Sequence, residues 1–172
     1  MIDRQGFRPN VGIILCNEVG KLFWARRVGE DAWQFPQGGI QPDETPEQAV
    51  YRELAEEVGL LPDDVTVLGR TADWLRYRIP KRFLRFHARR ASRYVGQKQI
   101  WFLLKLVNHN ADVCLTNCDK PEFDSWCWIN YEETVNQVVS FKRVVYRKAL
   151  QELIPLIKPI GASKIAEQLK HR

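Results

Sequence analysis

Residues 45–59 constrain this chain more than any other stretch. Thr45 is a residue suited to a helix N-cap, Pro46 takes the first helical position, and Gln48 stands three residues past the cap, where it can close a capping box. Gly59 supplies a C-terminal stop. The spacing predicts a helix over 46–58 with two unlike faces. At about 100° per residue, Arg52, Glu53, Glu56 and Glu57 fall within an arc of about 140°, and Val50, Tyr51, Leu54, Ala55 and Val58 occupy the remainder. The apolar side must pack on another layer, and the acidic side is expected to face outward. Carboxylates three and four residues apart destabilise a helix by about 0.2–0.5 kcal/mol per pair. They therefore call for a counter-charge. Arg52 can serve on a solvated face; a site for hard divalent cations, which favour clustered carboxylate oxygens, is the sharper alternative.

Around this helix the chain reads as alternating strands and helices. Residues 11–16 and 21–26 are apolar, β-prone runs joined by a turn at 17–20 and predict a hairpin. Gln34-Phe-Pro-Gln-Gly-Gly39 then argues for a tightly shaped loop. Further strands are expected near 65–71, 74–79, 99–107 and 125–129, and helices over 131–137 and 141–157. In the last helix Val144, Val145, Ala149, Leu150, Leu153 and Ile154 recur at helical spacing. Such a succession makes a layered α/β domain with a mixed sheet.

A length of 172 residues suits one domain, taken as 1–158 followed by a loosely attached tail at 159–172. The longest apolar runs fall far short of the roughly 18 residues that span a bilayer, and residues 1–6 lack signal-peptide order. The expectation is a cytoplasmic protein with no membrane partner. Cys16, Cys114, Cys118 and Cys127 form no CxxC pair and are read as structural free thiols. The net charge of +5, despite the acidic helix, suggests a polyanionic partner. Of the six tryptophans most are expected in the core, with Trp74 the candidate for contact with a base.

Read from Gly38, the segment GGIQPDETPEQAVYRELAEEVGL has Gly38, Glu44 and then Arg52-Glu-Leu-Ala-Glu-Glu-Val-Gly-Leu60. This resembles the Nudix box, G-x5-E-x7-R-E-U-x-E-E-x-G-U with U apolar, at all nine defined positions over twenty-three residues. The resemblance implies an α/β/α sandwich with a mixed β-sheet and hydrolysis of phosphoanhydride bonds with a divalent metal, Mg²⁺ foremost and Mn²⁺ as the alternative. It implies metal ligation by Glu53, Glu56 and Glu57, one of them accepting the water proton, with Arg52 orienting them and Glu44 stabilising the loop.

Beyond the box, residues 1–157 resemble the bacterial RNA pyrophosphohydrolases. The matching segments are Phe7-Arg-Pro-Asn-Val-Gly12, Trp24-Ala-Arg-Arg27, Trp33-Gln-Phe-Pro-Gln-Gly-Gly39, Trp74-Leu-Arg-Tyr77, Pro80-Lys-Arg82, Gly96-Gln-Lys-Gln99, Pro121-Glu-Phe-Asp124 and Val138-Val-Ser-Phe-Lys-Arg143. That family removes pyrophosphate, or phosphate stepwise, from 5′-triphosphate or diphosphate RNA, and the monophosphate end left behind starts mRNA decay. The resemblance implies contacts to phosphates or to the RNA chain by Arg8, Arg27 and Lys142, whose cations suit phosphate. It implies a base pocket from Val139 and Phe141, a metal-approaching carboxylate at Glu122, and a site-lining Gln97. Phe141 has a structural reading as well, as the hydrophobic staple of the helix it precedes. No role is carried over to residues 86–94 or to the tail, and nothing in the sequence identifies a stimulating protein partner.

Three other readings compete. A dinucleoside polyphosphate (diadenosine tetraphosphate) hydrolase needs the same metal site. A non-catalytic RNA-binding module has no use for three crowded carboxylates. A nucleotide-pool sanitiser leaves the positive charge unexplained.

Overall fold

The computed structural model describes residues 2–83 and 94–157, so the tail and most of residues 86–94 lie outside the described residues. The elements are β1 (Phe7–Cys16), β2 (Leu22–Arg27), β3 (Trp33–Gln34), β4 (Gln37–Gly39), α1 (Pro46–Val58), β5 (Val65–Arg70), β6 (Leu75–Arg78), β7 (Gly96–Leu106), β8 (Phe123–Ile129), α2 (Tyr131–Gln137) and α3 (Arg143–Leu153).

β1 pairs in parallel with β7 along its whole length, from Phe7 opposite Gly96 to Cys16 opposite Lys105. A parallel pair needs a crossover rather than a tight turn, and α1 lies within that crossover. β5 and β6 add to β7 antiparallel, β4 adds to β1 at Asn10–Gly12, and β2 carries β3 and β8. The eight strands make one mixed sheet. The predicted hairpin is nearly absent, because β1 and β2 share a single registered pair, Cys16 with Leu22. The reason is burial on both faces: Val11 and Ile13 through Cys16 are fully inaccessible, which places β1 at the centre of a two-sided sheet rather than in an exposed ribbon.

Alternation along the central strands separates two core layers. Val11, Ile13, Leu15, Ile100, Phe102 and Leu104 point to α1, where Ala49, Val50, Leu54 and Val58 meet them. Ile14, Cys16, Trp101 and Leu103 point to the opposite layer, where Val145, Tyr146, Ala149, Leu150 and Leu153 of α3 cover them. This is the expected α/β/α sandwich.

Several details depart from the sequence reading. The helix expected over 141–157 opens as a 3-10 turn at Ser140–Lys142, is α-helical only over Arg143–Leu153, and closes as a 3-10 turn at Ile154–Leu156. Pro155 lacks the N–H that would continue the α-helical ladder, and the Ile157 N–H bonds back to the Ile154 carbonyl instead. Val144, assigned to the apolar stripe, is 57% exposed. Only Cys16 is a core thiol, since Cys114 and Cys127 are exposed and Cys118 is half-buried, all four being free. Trp24 and Trp101 are fully buried, but Trp74 and Trp126 lie more than a third exposed. Among the described residues no helix is long and apolar enough to cross a membrane.

Candidate active site

Helix α1 begins and ends on its sequence signals. Thr45 accepts from the Gln48 backbone N–H, the Gln48 side chain accepts from the Thr45 N–H, and Gly59 takes the left-handed conformation at φ 77° that a side chain would disfavour. The acidic face does not look into solvent as expected. Glu53 and Glu57 are both only 8% exposed, because β4 and the loop after it lie over them. Glu57 accepts a 3.0 Å hydrogen bond from the Gln37 backbone N–H. The Glu53 carboxyl lies so close to Gly38 that a Cβ there would stand 1.7 Å from its carboxyl carbon. Gly38 is therefore the one residue type that lets this carboxylate seat.

Arg52 ties the loop to the helix. Its guanidinium donates to both Glu44 oxygens at 2.7 and 2.9 Å, to Glu53 at 2.6 Å, to Glu56 at 3.4 Å and to the Gly39 carbonyl at 2.9 Å. Bidentate geometry of this kind is the stronger form of a charge-assisted pair. Glu44, thus held, has its carboxyl pushed below the usual range by the Arg52 guanidinium. Glu53 is raised by burial, with Arg52 opposing. Glu57 is raised well above the ordinary value by burial first, then by the charges of Glu53, Glu122 and Glu56.

Of these carboxylates Glu53 and Glu57 line a cleft of about 790 Å³. Gly38 and Glu122 line it as well, together with Arg8, Arg27 and Lys142. Gln97, Val139 and Phe141 complete the set of predicted residues that the fold brings together there. Glu44, Arg52, Glu56 and Gly59 stand outside the lining, and Glu56 is exposed. Trp74 is also outside the cleft, with the Lys98 ammonium 5.0 Å over its ring.

Each cation has a distinct setting. Arg8 lies against Gly39 of β4. Arg27 pairs with Glu122 at 3.1 Å and Glu30 at 3.5 Å, while its buried Nε has no hydrogen-bond partner. Lys142 is 7% exposed and donates to Gln34 Oε1 at 2.8 Å. Burial pulls its ammonium down to about 8, Arg27 adding to the effect and Glu122, Glu57 and Glu30 opposing it. The Phe141 ring is half-buried, 5.9 Å from Tyr77 and 5.2 Å from Phe83. It packs across the cleft wall rather than only along the helix that follows.

Sequence reading missed Asn10, Gln34, Gln37, Tyr77 and Phe83 in this lining. For Asn10 a signal was present, since an amide inside an apolar central strand demands an explanation. Tyr77 donates to Gln97 Oε1, and burial, partly offset by the Gln37 amide, holds its phenol above the usual value.

The donor set fits a divalent cation of the magnesium kind. Glu57 is desolvated and surrounded by three other carboxylates, an arrangement that a bound cation would relieve. Among the described residues no three acidic, histidine or cysteine side chains close on a single point. An open site of that sort is what a small hard cation uses when substrate phosphates and water complete its shell.

A family model described as the NUDIX domain matches residues 6–149. An Alkalilimnicola ehrlichii protein named RNA pyrophosphohydrolase is 57% identical over 161 residues, covering 94% of this chain and 88% of that one. A Pseudomonas putida protein of the same name is 59% identical over 155 residues, covering 90% and 96%. Among solved structures, the Escherichia coli dihydroneopterin triphosphate pyrophosphohydrolase superposes with a TM-score of 0.62 at 18% identity, covering 83% of this chain and 95% of that one. A Caenorhabditis elegans Ap4A hydrolase complex gives 0.61 at 19%, covering 82% and 93%. At such identities the structural likeness concerns the fold alone.

Proposed function

The chain belongs to the NUDIX family, and from that premise we propose that it is an RNA pyrophosphohydrolase, removing pyrophosphate or phosphate from the triphosphate or diphosphate 5′ end of RNA. The product is a 5′-monophosphate end that opens the transcript to decay. One observation carries this reading: a single cleft joins the buried carboxylates of α1 to three cations and to an aromatic wall. Chains 57–59% identical over at least 90% of this length bear the corresponding name.

Nudix hydrolases are generally dependent on divalent metal, and here Glu53, Glu56 and Glu57, with Glu122 reaching in from the loop before β8, would hold Mg²⁺ or Mn²⁺. Such an ion lowers the pKa of water and offsets charge on phosphate oxygens. The protein's own groups do the rest. Arg52 touches no substrate but favours the ionised form of Glu53 against its burial and aims it through their 2.6 Å contact. Arg8, Arg27 and Lys142 hold the non-bridging oxygens and stabilise the charge that builds as water adds to phosphorus and the anhydride P–O bond breaks. The water proton passes to a carboxylate of the α1 wall, and the departing pyrophosphate takes the bonding electrons. Phe141 and Val139 offer an unpaired base near the 5′ end an apolar surface on which to stack. The proposed setting is the cytoplasm, where transcripts begin with triphosphates.

The test is product identification. Pure protein with Mg²⁺ is given 5′-triphosphate RNA, free nucleoside triphosphates and diadenosine tetraphosphate, and the rates are compared as kcat/KM. Preferred conversion of RNA to its monophosphate form is expected. Preference for the dinucleotide would replace this function with that of a dinucleoside polyphosphate hydrolase, and tight RNA binding without products would make the chain a binder.

A further inference from the structure

Four side-chain amides line the cleft: Asn10, Gln34, Gln37 and Gln97. A primary amide can present either its C=O or its NH₂ group, and which one faces a ligand depends on what occupies the other end. All four are settled the same way. Gln99, fully buried and not part of the lining, donates its Nε2 to Asn10 Oδ1 at 2.9 Å and to Gln37 Oε1 at 3.2 Å. Lys142 Nζ occupies Gln34 Oε1, and the Tyr77 hydroxyl occupies Gln97 Oε1. Each carbonyl of the set thus accepts a hydrogen bond inside the protein, from Gln99 outside the lining or from Lys142 and Tyr77 within it. The Gln37 NH₂ meets the Tyr77 hydroxyl oxygen, and the NH₂ groups of Asn10, Gln34 and Gln97 remain for the cavity.

We propose that Asn10, Gln34 and Gln97 turn their NH₂ groups to the non-bridging oxygens of the polyphosphate chain, and that Gln99 is the positioning residue that fixes the polarity of Asn10 and, beside it, of Gln37. The location suits that ligand. Gln37 is the residue whose backbone N–H caps Glu57, and Asn10 lies in register with Gly39, against which Arg8 packs. Oxygens lying between the α1 carboxylates and Arg8 would pass beside Asn10. Non-bridging phosphate oxygens accept hydrogen bonds, so NH₂ groups fixed toward them match their chemistry. Fixed neutral donors also suit this place better than further cations would, since added positive charge would compete with the metal for Glu53 and Glu57.

Gln99 also explains itself on this basis. Its Oε1 is buried without a hydrogen-bond partner, a penalty that an apolar residue would avoid. The unsatisfied atom is accepted in a position where the other end of the same amide sets two neighbours.

The proposal rests on the polyphosphate-hydrolase reading, and the test separates the two by measuring binding without turnover. The probe is methylenediphosphonate with Mg²⁺, which carries phosphate-type oxygens, no base and no cleavable bridge. Asn10→Asp keeps the acceptor for Gln99 but replaces NH₂ by an anionic oxygen. It is expected to weaken probe binding at least tenfold and to raise KM for triphosphate RNA and diadenosine tetraphosphate by a similar factor. Gln99→Met, outside the cleft, is expected to raise KM about threefold or more for both substrates. A merely structural Gln99 would lower the melting temperature and leave KM alone. Gln34→Glu, which retains the acceptor for Lys142, gives an independent reading if Asn10→Asp does not fold. Probe affinity equal to wild type in the folded variants would overturn the proposal. So would a loss confined to RNA, because the amides would then be reading a base.

Discussion

Replacing Glu57 by Gln should move stability and activity in opposite directions. Glu57 is 8% exposed and its carboxyl is raised by burial and by the charges of Glu53, Glu122 and Glu56. Glutamine keeps the oxygen that accepts from Gln37 N–H and removes the buried charge. Relieving an uncompensated buried charge with a neutral isostere is worth about 1–2 kcal/mol, at the low end of what such replacements yield. For a chain of this size that raises Tm by about 2–8 °C, at about 2–4 °C per kcal/mol. The gain applies without metal, in chelator. With Mg²⁺ at a hundred times its Kd, the wild type should gain about 2.7 kcal/mol by mass action, and the variant should gain little. Turnover should fall at least a hundredfold, equivalent to about 2.7 kcal/mol or more in the barrier. Scanning calorimetry with and without Mg²⁺, beside RNA turnover, reads all three. A variant that melts below wild type in chelator yet keeps the full Mg²⁺ shift would show that Glu57 supports the fold and does not hold metal.

Three further outcomes are expected. Gly38→Ala puts a methyl where the Glu53 carboxyl lies, and because that carboxyl ends a flexible side chain the stability cost should stay near about 1 kcal/mol, within the usual range for single substitutions; kcat should drop at least tenfold, and a fully active variant would remove Glu53 from the metal site. Phe141→Ala truncates a half-buried ring, so the loss of stability should be about half the 3–5 kcal/mol of a core phenylalanine; kcat/KM for RNA should fall by a further 1–3 kcal/mol, about 5- to 150-fold, and equal losses on diadenosine tetraphosphate would sink the base-stacking role. Glu53 and Glu57 are both raised in the fold, so their contribution is full below the ordinary value of 4.5 and is lost as pH rises through the raised values; protons and Mg²⁺ compete for them, and the Tm shift caused by Mg²⁺ should grow from pH 5 to pH 8, a flat profile contradicting metal binding at these carboxylates.

The helix of the site was legible almost to the residue, because its information is local: Thr45, Pro46, Gln48 and Gly59 act on the backbone within one turn. Its environment was not. Periodicity places Glu53 and Glu57 on the polar face but does not say that residues 37–39 fold over them, since that depends on β4 pairing with β1. The same limit explains why the expected hairpin is nearly absent. Residues 11–16 have a good turn beside them, yet an apolar strand buried on both faces gains more from a distant partner of like character. Lys142 and Phe141 were found by resemblance. Their physical meaning, an ammonium drawn down to about 8 by burial and a ring packed on Tyr77 and Phe83, needed the third dimension.

The parallel pairing of β1 with β7 has a kinetic side. Phe7 must wait for Gly96 and Cys16 for Lys105, so the centre of the sheet closes only across a long loop of chain, the kind of contact that slows folding. During synthesis β1 leaves the ribosome well before β7, with both faces apolar, and the strands between them pair with it only at Cys16 and at Asn10–Gly12. Until β7 emerges, Val11 and Ile13 through Cys16 are a segment prone to the wrong associations. Asn10 belongs to the same strand, and β4 with Gly38 docks on it. The loop over the α1 carboxylates, the amide at Asn10 and the core therefore share one dependence, and a nascent chain that stops short of β7 has a well-capped acidic helix whose covering strand β4 docks on an unfinished sheet.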